Sequence, residues 1–103
     1  MPEFERTFDE RGNQVVFYNV HVSLGRRKWT LNKRYSEFNE LDVAMRRKHA
    51  NLPKLPSKTF FTLKTDQQLD GRRAELHTYL QEIVNRPDMR TNPIFRGFLE
   101  IDE

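Results

Sequence analysis

From Gln14 to Leu24, apolar and polar side chains alternate along the chain. Val16, Tyr18, Val20, Val22 and Leu24 fall on one side, and Val15, Phe17, Asn19, His21 and Ser23 on the other. A period of two in branched and aromatic residues marks a strand, because successive side chains of an extended backbone leave opposite faces. Gly25-Arg26-Arg27 supplies a turn, after which Trp29 and Leu31 resume the alternation in a second strand. Phe4 to Phe8 is predicted to form a third, paired through a turn near Gly12-Asn13. Beyond Arg34 the period lengthens. Ser36 is the predicted cap of a helix, its hydroxyl accepting an N–H that the first turn leaves unbonded. Phe38, Leu41 and Met45 follow at helical spacing. That helix is expected to end near Arg46-Arg47-Lys48, where cations suit the negative end of the helix dipole.

The next segment, Leu52-Pro53-Lys54-Leu55-Pro56, cannot continue a helix, and prolines three apart favour an extended polyproline turn. Asp66 is the predicted cap of a second helix that carries Leu69, Leu76, Leu80, Ile83 and Val84 and stops before Pro87. Asn92-Pro93 reads as the cap and first residue of a short last helix burying Ile94, Phe95, Phe98 and Leu99. Strands come first and helices after. The pattern predicts an α+β fold: a three-stranded antiparallel sheet packed on a helical subdomain of three to four helices, with a polyproline loop. No internal repeat or long linker interrupts the chain, so residues 1–103 are expected to be a single domain, one module of a longer protein.

Composition narrows the function. A hydrophobic fraction of 36% and an aromatic fraction of 12% supply a modest core despite 32% charged residues. A chain of this length buries roughly 60–70% of the surface its unfolded form exposes. There is no cysteine, which excludes disulfides and thiolate zinc sites and fits a reducing compartment. No apolar run approaches the length of a membrane span, and Met1-Pro2-Glu3-Phe4 lacks the layout of a signal peptide. A cytoplasmic location, with membrane contact only at the periphery, is the expectation. The net charge of +3 conceals an asymmetry, since residues 11–99 hold 17 Lys or Arg against 8 Asp or Glu. A basic body favours phosphate-bearing partners: anionic lipid, nucleic acid or phosphoprotein.

Catalysis finds no support in the residues. His21, His49 and His77 are isolated and fit no metal-binding spacing, and the four glycines are scattered. Ser23, Ser36 and Ser57 lack a nucleophile-elbow context. His77 beside Glu75 reads as a solvated helix pair. Neither a cofactor, a metal nor an enzymatic activity is expected.

Lys33-Arg34-Tyr35-Ser36-Glu37-Phe38 lies at a strand-to-helix junction. A guanidinium there can bond a phosphate in bidentate fashion, beside the partial positive charge of a helix start. Tyr35 can pack its ring against a polyol. Equally, these six residues alone fit a surface arginine beside a tyrosine that staples helix to sheet. Two later motifs shift the balance. Leu52-Pro53-Lys54-Leu55-Pro56-Ser57-Lys58 is a proline-stiffened loop ending in a cation, and Arg72-Arg73-Ala74-Glu75-Leu76-His77-Thr78-Tyr79-Leu80 sets paired arginines at a helix start. In this order, with Trp29 in a strand and a closing Pro93 to Leu99 segment, they resemble the phox-homology (PX) family over nearly the whole chain.

The resemblance implies a phosphoinositide-binding module, as in sorting nexins and PX-containing kinases. Phosphatidylinositol 3-phosphate on early endosomal membranes is the implied partner. Arg34 matches the family arginine on the 3-phosphate, Tyr35 the aromatic under the inositol ring, and Lys58 the lysine on the 1-phosphate. Arg72 matches the arginine on the 4- and 5-hydroxyls, with Leu76 and Tyr79 four and seven residues beyond it. Arg73 remains the alternative, because the connection from Lys58 does not fix the register, and Ser57 stands where the family more often has proline. The resemblance also implies that the loop after Lys58 dips into the bilayer. Phe60, with Phe61 or Leu63, would insert while Lys64 stays at the head groups. One fully buried Phe contributes about 1.5–3 kcal/mol, and each nearby cation about 1 kcal/mol on an anionic leaflet.

Three features admit other uses. Pro53-x-x-Pro56 with Lys54 and Lys58 resembles a basic SH3 ligand, which would make the chain a protein-interaction module with weak anionic-lipid binding. The basic body admits nucleic acid, although its aromatics do not interleave with cations on a strand face. Arg26-Arg27-Lys28 at a hairpin tip and Arg46-Arg47-Lys48-His49 read as solvated charge, the first within reach of lipid.

Overall fold

The alternating segment forms the central strand of the sheet. In the computed structural model, which describes residues 4–49, 51–56 and 65–101, β1 (Phe4–Phe8), β2 (Gln14–Leu24) and β3 (Arg27–Lys33) lie in the order β1-β2-β3. Both pairings are antiparallel. Phe4 faces Tyr18 at one end of β1 and Phe8 faces Gln14 at the other, while β3 runs from Leu24↔Arg27 to Tyr18↔Lys33. Tyr18, Val20, Val22 and Leu31 point inward and are buried. Leu24, predicted on the same side, is instead 38% exposed, because it ends β2 at the hairpin tip where nothing packs over it. Gly25 takes φ +61° in the two-residue turn that follows, a conformation hairpin turns of this length demand. At the other hairpin Asp9 organises the turn, its Oδ1 accepting from the N–H groups of Arg11 and Asn13, each at 2.9 Å.

The helices start where the chain supplies a cap, and in two cases the cap differs from the predicted residue. α1 (Tyr35–Arg46) starts one residue before Ser36. Its N-cap is Arg34, whose N–H is bonded by Glu37 Oε1 at 3.0 Å, so a carboxylate reaching back does the work assigned to the Ser36 hydroxyl. α2 (Asp66–Val84) is capped by Thr65, not Asp66. Thr65 Oγ1 accepts from Gln68 N–H at 3.1 Å and Gln68 Oε1 returns the bond at 3.2 Å. This reciprocal box frees Asp66 to pair with Arg6 of β1. α3 (Pro87–Arg90) is a single turn that was not separately predicted. α4 (Pro93–Phe98) starts as expected on Asn92, whose Oδ1 accepts from Ile94 N–H (2.9 Å) and Phe95 N–H (3.2 Å).

The α+β expectation holds: one three-stranded sheet covered by four helices. Phe38, Leu41 and Met45 of α1 meet Leu76, Tyr79 and Ile83 of α2, with Met89, Phe95 and Leu99 closing the core. Trp29 Nε1 donates to the Leu99 carbonyl at 3.0 Å, and Phe38 meets Phe98 edge-on at 5.2 Å, so the end of α4 is tied to both β3 and α1.

A carboxylate sits against this core. Asp42 is 8% exposed, yet both its oxygens are bonded: Oδ1 by the Tyr79 hydroxyl at 2.7 Å and Oδ2 by Arg46 Nε at 2.8 Å. The same guanidinium donates through Nη2 to the Pro53 carbonyl at 2.6 Å. Arg46 was expected to be solvated charge, but the buried carboxylate recruits it as a bridge, and its pKa is raised by that bond. The Tyr79 phenol is pushed far above its ordinary value, first by burial and then by Asp42. Tyr79→Phe keeps the ring and strips one bond from a buried carboxylate. It should lower the unfolding free energy by about 1–3 kcal/mol, read as a reduced urea midpoint with an unchanged slope.

Candidate functional site

β3 ends at Lys33 and α1 begins at Tyr35, so Arg34 is the single extended residue between them (φ −84°, ψ 158°). Extended geometry throws neighbouring side chains to opposite sides, and the two cations separate accordingly. Lys33 turns toward the end of α4, with Nζ 3.7 Å from both Glu37 and Glu100 and 4.8 Å from the Phe98 ring centroid. Arg34 faces solvent at the positive end of α1. Its charge is felt at Asp9, whose carboxyl is held below its ordinary pKa first by the Asn13 N–H and, to a smaller degree, by Arg34. The β1–β2 turn therefore lies at the same end of the sheet as Arg34.

Tyr35, first residue of α1, is half-buried between two other elements. Its hydroxyl donates to the Pro56 carbonyl at 2.5 Å, which fastens the end of the polyproline segment to the helix start. Across its face lies Arg72 of α2, with the guanidinium carbon 4.4 Å from the ring centroid. Arg72 is only 8% exposed. Its charge is also felt at Tyr18 of β2, whose phenol pKa is raised by burial and, to a smaller degree, lowered by Arg72. A guanidinium stacked on a ring keeps its in-plane N–H groups directed sideways, ready for an acceptor. Arg73, one residue on, points elsewhere and pairs with Asp70 at 2.8 Å. Of the two arginines, it is Arg72 whose guanidinium lies on the Tyr35 ring.

The structure brings Arg72 onto Tyr35, beside Arg34. Lys58, Phe60, Phe61 and Leu63, together with Lys64, lie outside the described residues. Two neighbouring residues were not singled out from the sequence. Tyr18 looked like an ordinary inward strand position, and nothing in the alternation marks it as a neighbour of Arg72. Phe8 belongs to a short strand of mixed pattern, yet it is 64% exposed beside the Asp9 turn. Size does not locate this site. The larger concavity, of ≈ 620 Å³, runs between β2 and α2 and is lined by none of Arg34, Tyr35 and Arg72. A shallower one of ≈ 490 Å³ reaches Tyr35 and Pro56 from the side of Lys54 and Arg46. Among the described residues, no group of three or more His, Asp or Glu is placed to hold a metal. No described helix is long and apolar enough to cross a membrane.

An arginine at a helix start, an aromatic ring with a second arginine stacked on it and a loop tied down beside it are thus gathered on an α+β scaffold. Comparison with known proteins gives the family. The PX domain family model matches residues 21–102, and the chain belongs to that family of phosphoinositide-binding, membrane-targeting domains. It is 32% identical over 95 residues to rat serine/threonine-protein kinase Sgk3, covering 90% of this chain and 19% of that protein. It is 33% identical over 101 residues to zebrafish sorting nexin-17, covering 96% of this chain and 20% of that one. The chain thus spans about a fifth of these relatives, and in the kinase only the PX part is matched. Among solved structures, a designed CISK-PX domain superposes with a TM-score of 0.87 at 28% identity, over 97% of this chain and 95% of that one. The mouse SNX19 PX domain shares the fold at a TM-score of 0.66 and 20% identity, over 96% of this chain and 89% of that one.

The Tyr35–Arg72 stack is testable without any ligand. A double-mutant cycle with Tyr35→Leu and Arg72→Met, which retain apolar bulk, should give a coupling of about 1 kcal/mol in chemical denaturation. Strictly additive losses would mean that the ring and the guanidinium are merely neighbours.

Proposed function

We propose that this domain binds phosphatidylinositol 3-phosphate through Arg34, Tyr35, Arg72 and Lys58, and so places the protein that carries it on early endosomal membranes. The observation that carries the proposal is the position of Arg72, a buried guanidinium laid on the Tyr35 ring beside the exposed Arg34. In this reading Arg34 takes the 3-phosphate in a bidentate, charge-assisted contact that the positive end of α1 reinforces. Tyr35 supports the inositol ring. Arg72 offers its N–H groups to the 4- and 5-hydroxyls, where a phosphate would crowd a side chain already held by packing. Lys58 follows Pro56 by two residues, and the Tyr35–Pro56 bond sets where the segment bearing it leaves the fold. Residues 1–103 act as one domain of a longer protein.

Membrane contact comes from the same end. Phe60, with Phe61 or Leu63, inserts, and Lys64 stays among the head groups. Phe8 adds a third, exposed apolar side chain beside the turn organised by Asp9. Each contribution is modest: about 1.5–3 kcal/mol for a fully buried Phe and about 1 kcal/mol per cation on an anionic surface. Firm binding needs all of them together.

The alternative use of Pro53-x-x-Pro56 as an SH3 ligand meets a physical obstacle. The Pro53 carbonyl is bonded by Arg46, the Pro56 carbonyl by Tyr35, and Leu55 is buried between them. Presenting both prolines to a partner groove would break those contacts.

Liposome co-sedimentation across the phosphoinositides tests the proposal. Arg34→Ala should lower affinity for phosphatidylinositol 3-phosphate vesicles by about ten- to a hundredfold, the loss expected for one charged hydrogen-bonded contact. The fold should survive, since the side chain is exposed. Phe60→Ala and Phe8→Ala should each weaken vesicle binding while sparing affinity for the soluble head group. Retained lipid affinity in a folded Arg34→Ala protein would remove the pocket assignment. Binding that tracks only total negative charge would remove the lipid specificity.

A further inference from the structure

Lys33 and Arg34 are adjacent cations at one junction, and the fold uses them differently. Arg34 is exposed, whereas the Lys33 side chain keeps only 12% of its surface in solvent. The Lys33 ammonium lies 3.7 Å from the carboxylates of both Glu37 and Glu100, and 4.8 Å from the centroid of the Phe98 ring. Its charge is committed inside the protein. Glu37 is engaged on two sides in turn. Its Oε1 accepts from the Arg34 N–H at 3.0 Å, and its Oε2 faces Lys33. The cap that starts α1 therefore sets a carboxylate at the base of Arg34.

Without a counter-charge, that carboxylate would repel any phosphate brought to the Arg34 side chain. Glu100 shows what the fold accepts to keep Lys33 in place. It follows α4 with φ 57°, in the left-handed region that glycine usually occupies at a helix end. The Glu100 N–H is bonded to the Gly97 carbonyl at 3.1 Å and the Ile101 N–H to the Arg96 carbonyl at 3.0 Å, which closes the helix there. A glutamate in this conformation bears backbone strain that a glycine would not. Its carboxylate reaches Lys33, a contact that glycine could not make.

We propose that Lys33 is a positioning residue of the lipid site. Held by Glu100 and Phe98, it neutralises Glu37, so that this carboxylate caps the Arg34 backbone without opposing a phosphate at the Arg34 side chain. Lys33 touches no ligand itself and acts through Glu37. This rests on Arg34 as the phosphate ligand, the role proposed for it above.

The test measures binding of the 103-residue domain to phosphatidylinositol 3-phosphate vesicles, with a urea midpoint for every variant. Lys33→Met keeps an apolar contact with Phe98 and should weaken vesicle binding about fivefold. Lys33→Gln should lose the same amount, so the outcome does not hang on the folding of one variant, and Lys33→Arg should retain wild-type affinity. Adding Glu37→Gln to Lys33→Met should bring binding back to within about twofold of wild type. The Gln oxygen still accepts the Arg34 N–H, as Gln68 does for Thr65 in α2, but it carries no charge. Glu40→Gln in the same background removes an equal charge from an exposed position about one turn along α1, and should restore little. A structural role for Lys33 alone predicts no rescue by Glu37→Gln. Full affinity in a folded Lys33→Met protein would overturn the proposal, as would a loss that Glu37→Gln leaves in place. Equal rescue by Glu40→Gln would reduce the effect to net charge and overturn it too. Arg34→Ala is the reference: undiminished binding there would overturn the phosphate assignment itself, and the role of Lys33 with it.

Discussion

Asp42 is a carboxylate in a hydrophobic core, and the domain is arranged around satisfying it. An unpaired charge there would be strongly destabilising, so its bonds to Tyr79 of α2 and to Arg46 of its own helix are conditions of the fold. These bonds have a geometrical consequence. Tyr79 fixes the rotation of α2 against α1, and Arg46, held by Asp42, reaches on to the Pro53 carbonyl and so sets the path of the polyproline segment. Two turns of α2 before Tyr79 lies Arg72, and three residues after Pro53 lies Pro56. The buried carboxylate thus sets the positions of two elements that meet again at Tyr35.

Tyr35 is the second meeting point, and it faces outward where Asp42 faces inward. Its hydroxyl holds Pro56 and its ring carries Arg72. The loop is therefore anchored twice, at Pro53 and at Pro56, with Leu55 buried between the anchors. Much of the rotamer entropy of Arg72, a long and otherwise mobile side chain, is lost on folding, before any ligand arrives. Arg34 is different. It is exposed, with its backbone N–H bonded to Glu37. One arginine is thus preorganised by packing and the other adaptable, and under the proposed function this would match a rigid shelf for a ring and a reaching contact for a charge.

The sheet was legible in the sequence because its signal is local. The alternation from Gln14 to Leu24 and the glycine turn determine the strand bounds and the hairpin almost without reference to the rest of the chain. The caps were less legible. Ser36 and Asp66 are good cap residues that the fold passes over, since Glu37 and Gln68 reach back and place the caps two residues and one residue earlier, at Arg34 and Thr65. The candidate site was visible through its motif and not through composition: the spacing of Leu76 and Tyr79 favours Arg72 over Arg73, but what Arg72 lies against is not written in the sequence. That depends on the rotation of α2, which is fixed by Asp42 thirty residues away in sequence. Arg46 is exposed as expected, but its pairing with Asp42 was not legible for the same reason. Its role is created by a buried partner whose burial is a tertiary property, as is the exposure of Phe8.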